Sequence, residues 1–194
     1  MSGHSDASLQ DGGIWVVDPA HSRVGFAVTF MGISTVRGAF ERFQGTFRID
    51  GDLADAEIGA EIDAASIHTG QAQRDAHLLG SDFFDARQFP TVSFVSTQIE
   101  PLEDERFTIV GELTMHGVTR PVELDATALG SGLDPWGNER LGLELHGELS
   151  RGAFGISFNQ PLGAGRVAVS DTVELLLDLS VIKQDASRDA TEEE

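Results

Sequence analysis

Cysteine is absent from this chain of 194 residues, and Lys183 is its only lysine. Without cysteine there are no disulfides and no thiolate metal sites. The shortage of lysine leaves 13 basic side chains against 32 acidic ones, a formal net charge of −19. Nucleic acid is therefore excluded as a partner, because releasing the phosphate counterions needs clustered Lys and Arg. The overall charge equally opposes attraction to an anionic membrane surface. Long apolar runs are missing too: nothing approaches the roughly 18 consecutive apolar residues of a spanning helix. The first 13 residues, MSGHSDASLQDGG, hold no apolar stretch of the signal-peptide kind, so a cytoplasmic location is expected. Residues 1–13 and the acidic tail 184–194 read as disordered extensions around one domain at 14–183.

What the chain does have is alternation. Val24, Phe26, Val28 and Phe30 alternate with polar or small residues, as do Phe43, Phe47 and Ile49 and then Ile58, Ala60 and Ile62. Further series run through Phe107, Ile109, Leu113 and Met115, through Val122, Leu124 and Ala126, and through Leu141, Leu143, Leu145 and Leu149. Val173 to Val181 closes the set. A period of two with one apolar face predicts antiparallel strands wetted on one side. About eight such strands, counting one from Thr91, fit a sandwich or a closed barrel; in a barrel the lumen holds side chains or one slender ligand. Alternation alone is met equally by an interior filled with its own side chains.

Two segments break the strand pattern. Gln71 to Leu79 reads as a short helix with Gly80 as a left-handed cap, followed by Phe83 and Phe84; Pro90 then forces extended backbone into the strand at Thr91. The second is the long stretch 151–171, RGAFGISFNQPLGAGRVAVSD, whose Phe154, Ile156, Phe158 and Leu162 are too apolar for a solvated loop. Loops of that length carry function or disorder, and this one is expected to fold over a barrel end.

Most chemistry can be set aside. Gly163–Ala168 matches G-x-G-x-x-A, but a strand rather than a helix follows it, so no dinucleotide site is expected. No nucleophile elbow and no H-E-x-x-H is present. Asp50, Asp52, Asp55 and Glu57 around Gly51 loosely resemble a calcium loop but lack its spacing and read as an Asp-rich turn. His21, His68 and His77 with Asp75 are a second set a metal could use, and neither a metal nor a cofactor is expected. His77 and Asp75 also suit an acid–base pair, although fastening the helix to nearby backbone is the simpler role. In Asp134-Pro-Trp-Gly137, a turn, Trp136 either plugs the barrel end or meets a partner.

An ordered set of motifs resembles the YceI-like family. Asp18-Pro-Ala-His-Ser22 is similar to its opening turn. Arg74-Asp75-x-His77-Leu78, Asp82-Phe83-Phe84-Asp85, Phe89-Pro90 and Phe94-x-Ser96-Thr97 are similar to its central signature. Gly111-x-Leu113-Thr114, Gly117 to Val122 and Asp134 to Gly137 follow in order, so the resemblance spans about Ile14 to Ile182. It implies an all-β fold, an eight-stranded antiparallel lipocalin-like barrel with one short helix at about 71–80, holding a long isoprenoid chain and having no established catalytic activity. The lining residues would be Phe26, Val28, Phe47, Ile58, Ile62, Phe94, Leu113 and Leu143, with Phe83, Phe84 and Phe158 closing an end. His21, Arg37, Arg74, Asp75, His77 and Arg120 are the head-group or mouth candidates. Leu79-Gly80 and Gly152-Ala153 depart from the larger polar or basic residues of relatives, which favours a neutral head such as a quinone over a pyrophosphate. A homodimer and a membrane redox or lipid-handling enzyme are the implied protein partners. A filled-barrel interaction module, or a hydrolase or metal enzyme using His77 and Asp75, remains the alternative.

Overall fold

The computed structural model describes residues 12–50 and 53–184. Both expected disordered extensions, apart from their innermost residues, lie outside the described residues, as do Gly51 and Asp52 of the Asp-rich turn. Thirteen strands run in chain order: β1 (Gly13–Val17), β2 (Arg23–Phe30), β3 (Ser34–Phe40), β4 (Phe43–Ile49), β5 (Glu57–Asp63), β6 (Ile67–His68), β7 (Thr91–Pro101), β8 (Arg106–Met115), β9 (Val118–Leu133), β10 (Glu139–Ser150), β11 (Pro161–Gly163), β12 (Arg166–Val167) and β13 (Val169–Lys183). The pairing order β1-β4-β5-β7-β8-β9-β10-β13 returns to β1, so eight antiparallel strands close a barrel. β2, β3 and β6 continue this wall from β13 at one end only. Helix α1 (Ala72–Leu78) lies between β6 and β7.

The break between β1 and β2 is the Asp18–Ser22 motif. Pro19 opens a short 3-10 turn, and Asp18 caps it by accepting from Ala20 N at 3.0 Å. Ser22 Oγ accepts from Ser180 N at 2.9 Å, which ties the break to β13. Arg140 of β10 reaches Asp18 at 2.7 Å and Asp134 of the β9–β10 turn at 2.8 Å. Burial raises both carboxyl pKa values, but hydrogen bonds outweigh it: from Arg140, His21 and Ala20 on Asp18, and from Asn138 and Arg140 on Asp134. Both end below the ordinary aspartate value. A carboxylate whose folded pKa is depressed stabilises the fold above its unfolded value of about 3.9, and that contribution is lost as pH falls through the folded value. Arg140→Gln should therefore lower the melting temperature by several degrees at neutral pH. The deficit should shrink in thermal melts below about pH 4, as the parent protein loses the same contribution.

Two β-bulges reset the alternation. In β7 the register shifts between Ser96 and Gln98, which turns Ile99 inward opposite Ile109. Ser96 Oγ accepts from Ile58 N at 2.8 Å, and Thr97 Oγ1 donates to Val110 O at 3.2 Å, so this Ser-Thr pair satisfies the interrupted ladder. In β9 the shift falls beside Gly142 and Leu143 of its partner strand and leaves Leu129 exposed. Bulges add twist and bend, as a closing barrel requires.

At the end bearing the β7–β8 and β9–β10 turns, Trp15, Ile49, Ile99, Phe107, Leu141 and Val181 are buried and pack into a plug. Trp15 and Val181 have no exposed surface at all. The plug is thus Trp15; Trp136, on the outer turn, is 77% exposed, which decides against its plugging role. Asp134 fixes that turn by accepting from Trp136 N and Asn138 N at 3.0 and 2.9 Å, which leaves the indole outside.

Candidate functional site: an apolar lumen and its mouth

Above the plug the interior is hollow. A cavity of about 480 Å³ runs from the level of Val17, Ile109, Leu124 and Leu179 up to the opposite end of the barrel. That volume lies in the ordinary range for small-molecule sites, roughly 300–1,000 Å³. Its wall includes Phe26, Val28, Phe47, Ile58, Ile62, Phe94 and Leu113, together with Phe40, Phe43, Leu145 and Leu177. Leu143 is not part of this surface. It is fully buried within the packed core, because its height along β10 sets it among packed neighbours rather than beside open space.

Glycines keep the lumen open. A Cβ at Gly111 would lie 2.3 Å from the Phe94 ring, and one at Gly38 would lie 2.4 Å from the Phe26 ring. Each ring therefore lies flat against the wall over a residue that has no side chain. Gly45 and Ala60 pair across β4 and β5, another stretch where the wall carries almost no volume. Small residues in these inward positions set the bore; Phe and Leu set its chemistry.

The mouth is built by α1 and by the segment after β10. Gln71 caps α1 by accepting from Arg74 N. Arg74 Nε and Nη2 donate to Thr69 Oγ1 and O at 2.7 and 2.9 Å, and Asp75 Oδ1 accepts from Thr69 N at 2.9 Å. Arg74 and Asp75 thus clasp the backbone just after β6, which for Asp75 is the fastening role expected. His77 does something else: its Nε2 lies 3.0 Å from Asp82 Oδ2, and its ring meets Phe83 and Phe158 edge-on at 5.0 and 5.1 Å. Phe26, Phe40 and Phe84 continue the aromatic collar, with centroids 5.9 and 5.8 Å apart. The left-handed cap expected at Gly80 is not there. Leu79 is right-handed at φ −74°, and the left-handed residue is Asp85 at φ 43°. No reversal is needed at Gly80, because the carbonyls of Leu78, Leu79 and Gly80 accept from Phe84, Ala86 and Phe83 in successive turns.

The segment from Arg151 to Ala168 folds down onto the same end. Arg151 is 7% exposed and donates to Ser170 O, Ile156 O and Phe158 O at 2.9, 3.0 and 2.9 Å. Burial lowers its pKa, partly offset by the charge of Asp171. This guanidinium orders the segment, burying Phe154 and Ile156 and placing Phe158 at the lumen. Gly163–Ala168, the dinucleotide look-alike, runs through the turn and returning strand of the β11–β12 hairpin to the residue before β13.

Of the six mouth candidates, Arg74 and His77 line the cavity. Arg37 and Arg120 are exposed and line no part of it. Asp75 is turned to Thr69 and His68. His21 sits in the strand break with Nδ1 2.7 Å from Asp18, away from the mouth. His21, His68 and His77 therefore do not converge, and the four-residue metal set drawn from sequence is not brought together. Arg151, Asn159 and Gln160 line the mouth although sequence reasoning passed them over. The signal for Arg151 was a basic residue opening an otherwise apolar loop.

Comparison with known proteins agrees with this architecture. The model of the YceI-like domain matches residues 15–181. A UPF0312 protein of Pseudomonas putida is 36% identical over 165 residues, covering 84% of this chain and 82% of the relative. Among solved structures, Burkholderia cenocepacia BcnA superposes with a TM-score of 0.74 at 25% identity, over 84% of this chain and 98% of BcnA. A polyisoprenoid binding domain from Saccharophagus degradans has the same fold, with a TM-score of 0.62 at 15% identity over 88% of this chain and 98% of its own. A closed eight-stranded barrel, the ordered motifs and a domain match across most of its length place this chain in the YceI-like family.

Proposed function

We propose that the barrel binds one long-chain isoprenoid lipid, with the tail in the lumen and the head at the α1 mouth, as a cytoplasmic store or carrier that shields the chain from water. The observation that carries this reading is the open apolar lumen of about 480 Å³, closed below by the Trp15 plug. The polyisoprenoid binding domain of Saccharophagus degradans, which shares this fold, supports the ligand class. The driving force is transfer of hydrocarbon out of water, about 0.8 kcal/mol per CH₂, so one isoprene unit contributes roughly 4 kcal/mol before chain ordering offsets part of it. Aliphatic and aromatic walls do not distinguish one prenyl tail from another, which leaves selection to the mouth.

The mouth favours a neutral head. Arg151 directs Nε and Nη1 to three carbonyls, and Arg74 directs Nε and Nη2 to Thr69. Asn159 accepts from Val169 N and Gln160 N and donates to Val169 O. No lysine stands there. Competition of an isoprenoid quinone against a prenyl pyrophosphate of equal chain length should favour the quinone at least about tenfold, a difference of 1.4 kcal/mol. Tighter binding of the pyrophosphate would contradict the neutral-head reading.

A further inference from the structure

The rim of the mouth is two-sided. One lip, α1 and the turns after it, carries Asp75, Asp82 and Asp85 beside Arg74 and Arg87. The other is made by the β2–β3 hairpin, which turns at Met31–Ile33, and by the segment holding the β11–β12 hairpin. These two pieces form one body: Met31 N donates to Ala168 O at 2.7 Å, Thr29 N donates to Ser170 Oγ at 3.1 Å, and Phe30 pairs with Val169. In a chain with 32 acidic residues, 24–40 contains no Asp or Glu, and 151–171 contains only Asp171, whose carboxylate accepts from Gly152 N and Ser150 Oγ; the basic residues are Arg37, Arg151 and Arg166.

Phe30, Met31, Ile33 and Val167 stand at the tip of this lip with 39, 37, 80 and 46% of their surface exposed. A Cβ built at Gly32, Gly163 or Gly165 would meet nothing within 4 Å, so both hairpin tips project clear of the barrel. Single exposed apolar residues are ordinary on protein surfaces. Here they are contiguous with the lumen, since Phe30, Ala168 and Val169 also belong to its wall.

We propose that this acid-poor lip is a bilayer-docking surface, which seats its apolar tips at the headgroup–acyl boundary with the mouth facing the membrane. The occupant is a lipid bilayer because the lip is the outward continuation of a surface that receives hydrocarbon. Apolar tips beside exposed Arg37 and Arg166 match an interface of acyl chains beneath phosphates. The acidic remainder of the molecule, repelled by those phosphates, favours a lip-first approach. In this arrangement a prenyl chain passes between membrane and lumen along Phe30 without crossing water. That purpose rests on the lipid-binding reading, but the docking itself does not.

The test is flotation of the full chain with phosphatidylcholine vesicles containing a minority of phosphatidylglycerol, alongside mass spectrometry of the lipid carried by each purified variant. The parent protein should float, and Met31→Asp/Ile33→Asp should lower its vesicle partition at least about tenfold while keeping its lipid content. Trp136→Asp, at the plugged end, should float like the parent. In an Ile33→Trp variant, adding vesicles should shift the tryptophan emission to shorter wavelength. A parent protein that stays in solution, or a double variant that floats like it, would overturn the proposal. So would a dimer, seen in solution without vesicle binding, that the double variant dissociates. Vesicle binding lost with the lip in a protein that never carries lipid would leave docking standing and remove the cargo reading instead.

Discussion

Ala60→Trp should abolish lipid retention and cost the fold almost nothing. Ala60 faces Gly45 across the β4–β5 ladder, where the wall bears least side-chain volume. An indole there projects into open lumen and occupies the path of a prenyl chain. Placing extra bulk in a packed core costs about 1–3 kcal/mol and often more. A hollow core accepts it at little cost, so the two readouts together separate an open barrel from a filled one. Lipid content should fall at least about tenfold, with the denaturation midpoint almost unchanged. The contrasting variant is Gly111→Ala, whose new methyl group must drive the Phe94 ring off the wall. It should lose lipid and stability together.

The second large effect is expected at Arg151. Arg151→Met keeps much of the aliphatic volume but strands the carbonyls of Ser170, Ile156 and Phe158 that now accept from the guanidinium. Buried acceptors left unpaired cost about 1–3 kcal/mol each, with partial relief where water reaches them. The segment after β10 should then undock, release Phe158 from the aromatic collar and raise the off-rate of bound lipid. Hydrogen exchange should show the loss of protection confined to residues around 152–170, with the barrel strands unchanged. Uniform loss of protection throughout the barrel would mean that Arg151 supports the whole fold rather than this cover.

Much of this was legible in the sequence, and the exceptions have physical causes. Strands that carry large apolar residues on one face announced themselves, as in Leu141 to Leu149. β3, Ser34–Phe40, did not, because its inward position at Gly38 is occupied by the Phe26 ring from β2; the side chain that would have completed the alternation is absent so that its neighbour can fit. β1 is too short for a period to show. The bulge in β7 reverses the parity of the residues after it, so the inward turn of Ile99 is invisible to alternation. Height along the barrel axis is equally unreadable, which is why Leu143 joined the expected lining although it belongs to packed core. Mouth residues were the least legible: His21 and Arg120 resemble His77 and Arg74 in sequence, and only the closure of the barrel separates them. Arg151, Asn159 and Gln160 line the lumen from a segment whose conformation depends on contacts with β13.

Organic extraction of the protein, purified without detergent and followed by mass spectrometry, tests the hollow barrel most directly. One prenyl lipid per chain is expected from the parent protein and none from Ala60→Trp. Equal amounts of lipid from both, or none from a parent protein that also fails to take up added isoprenoid quinone, would contradict a lumen that holds an isoprenoid chain.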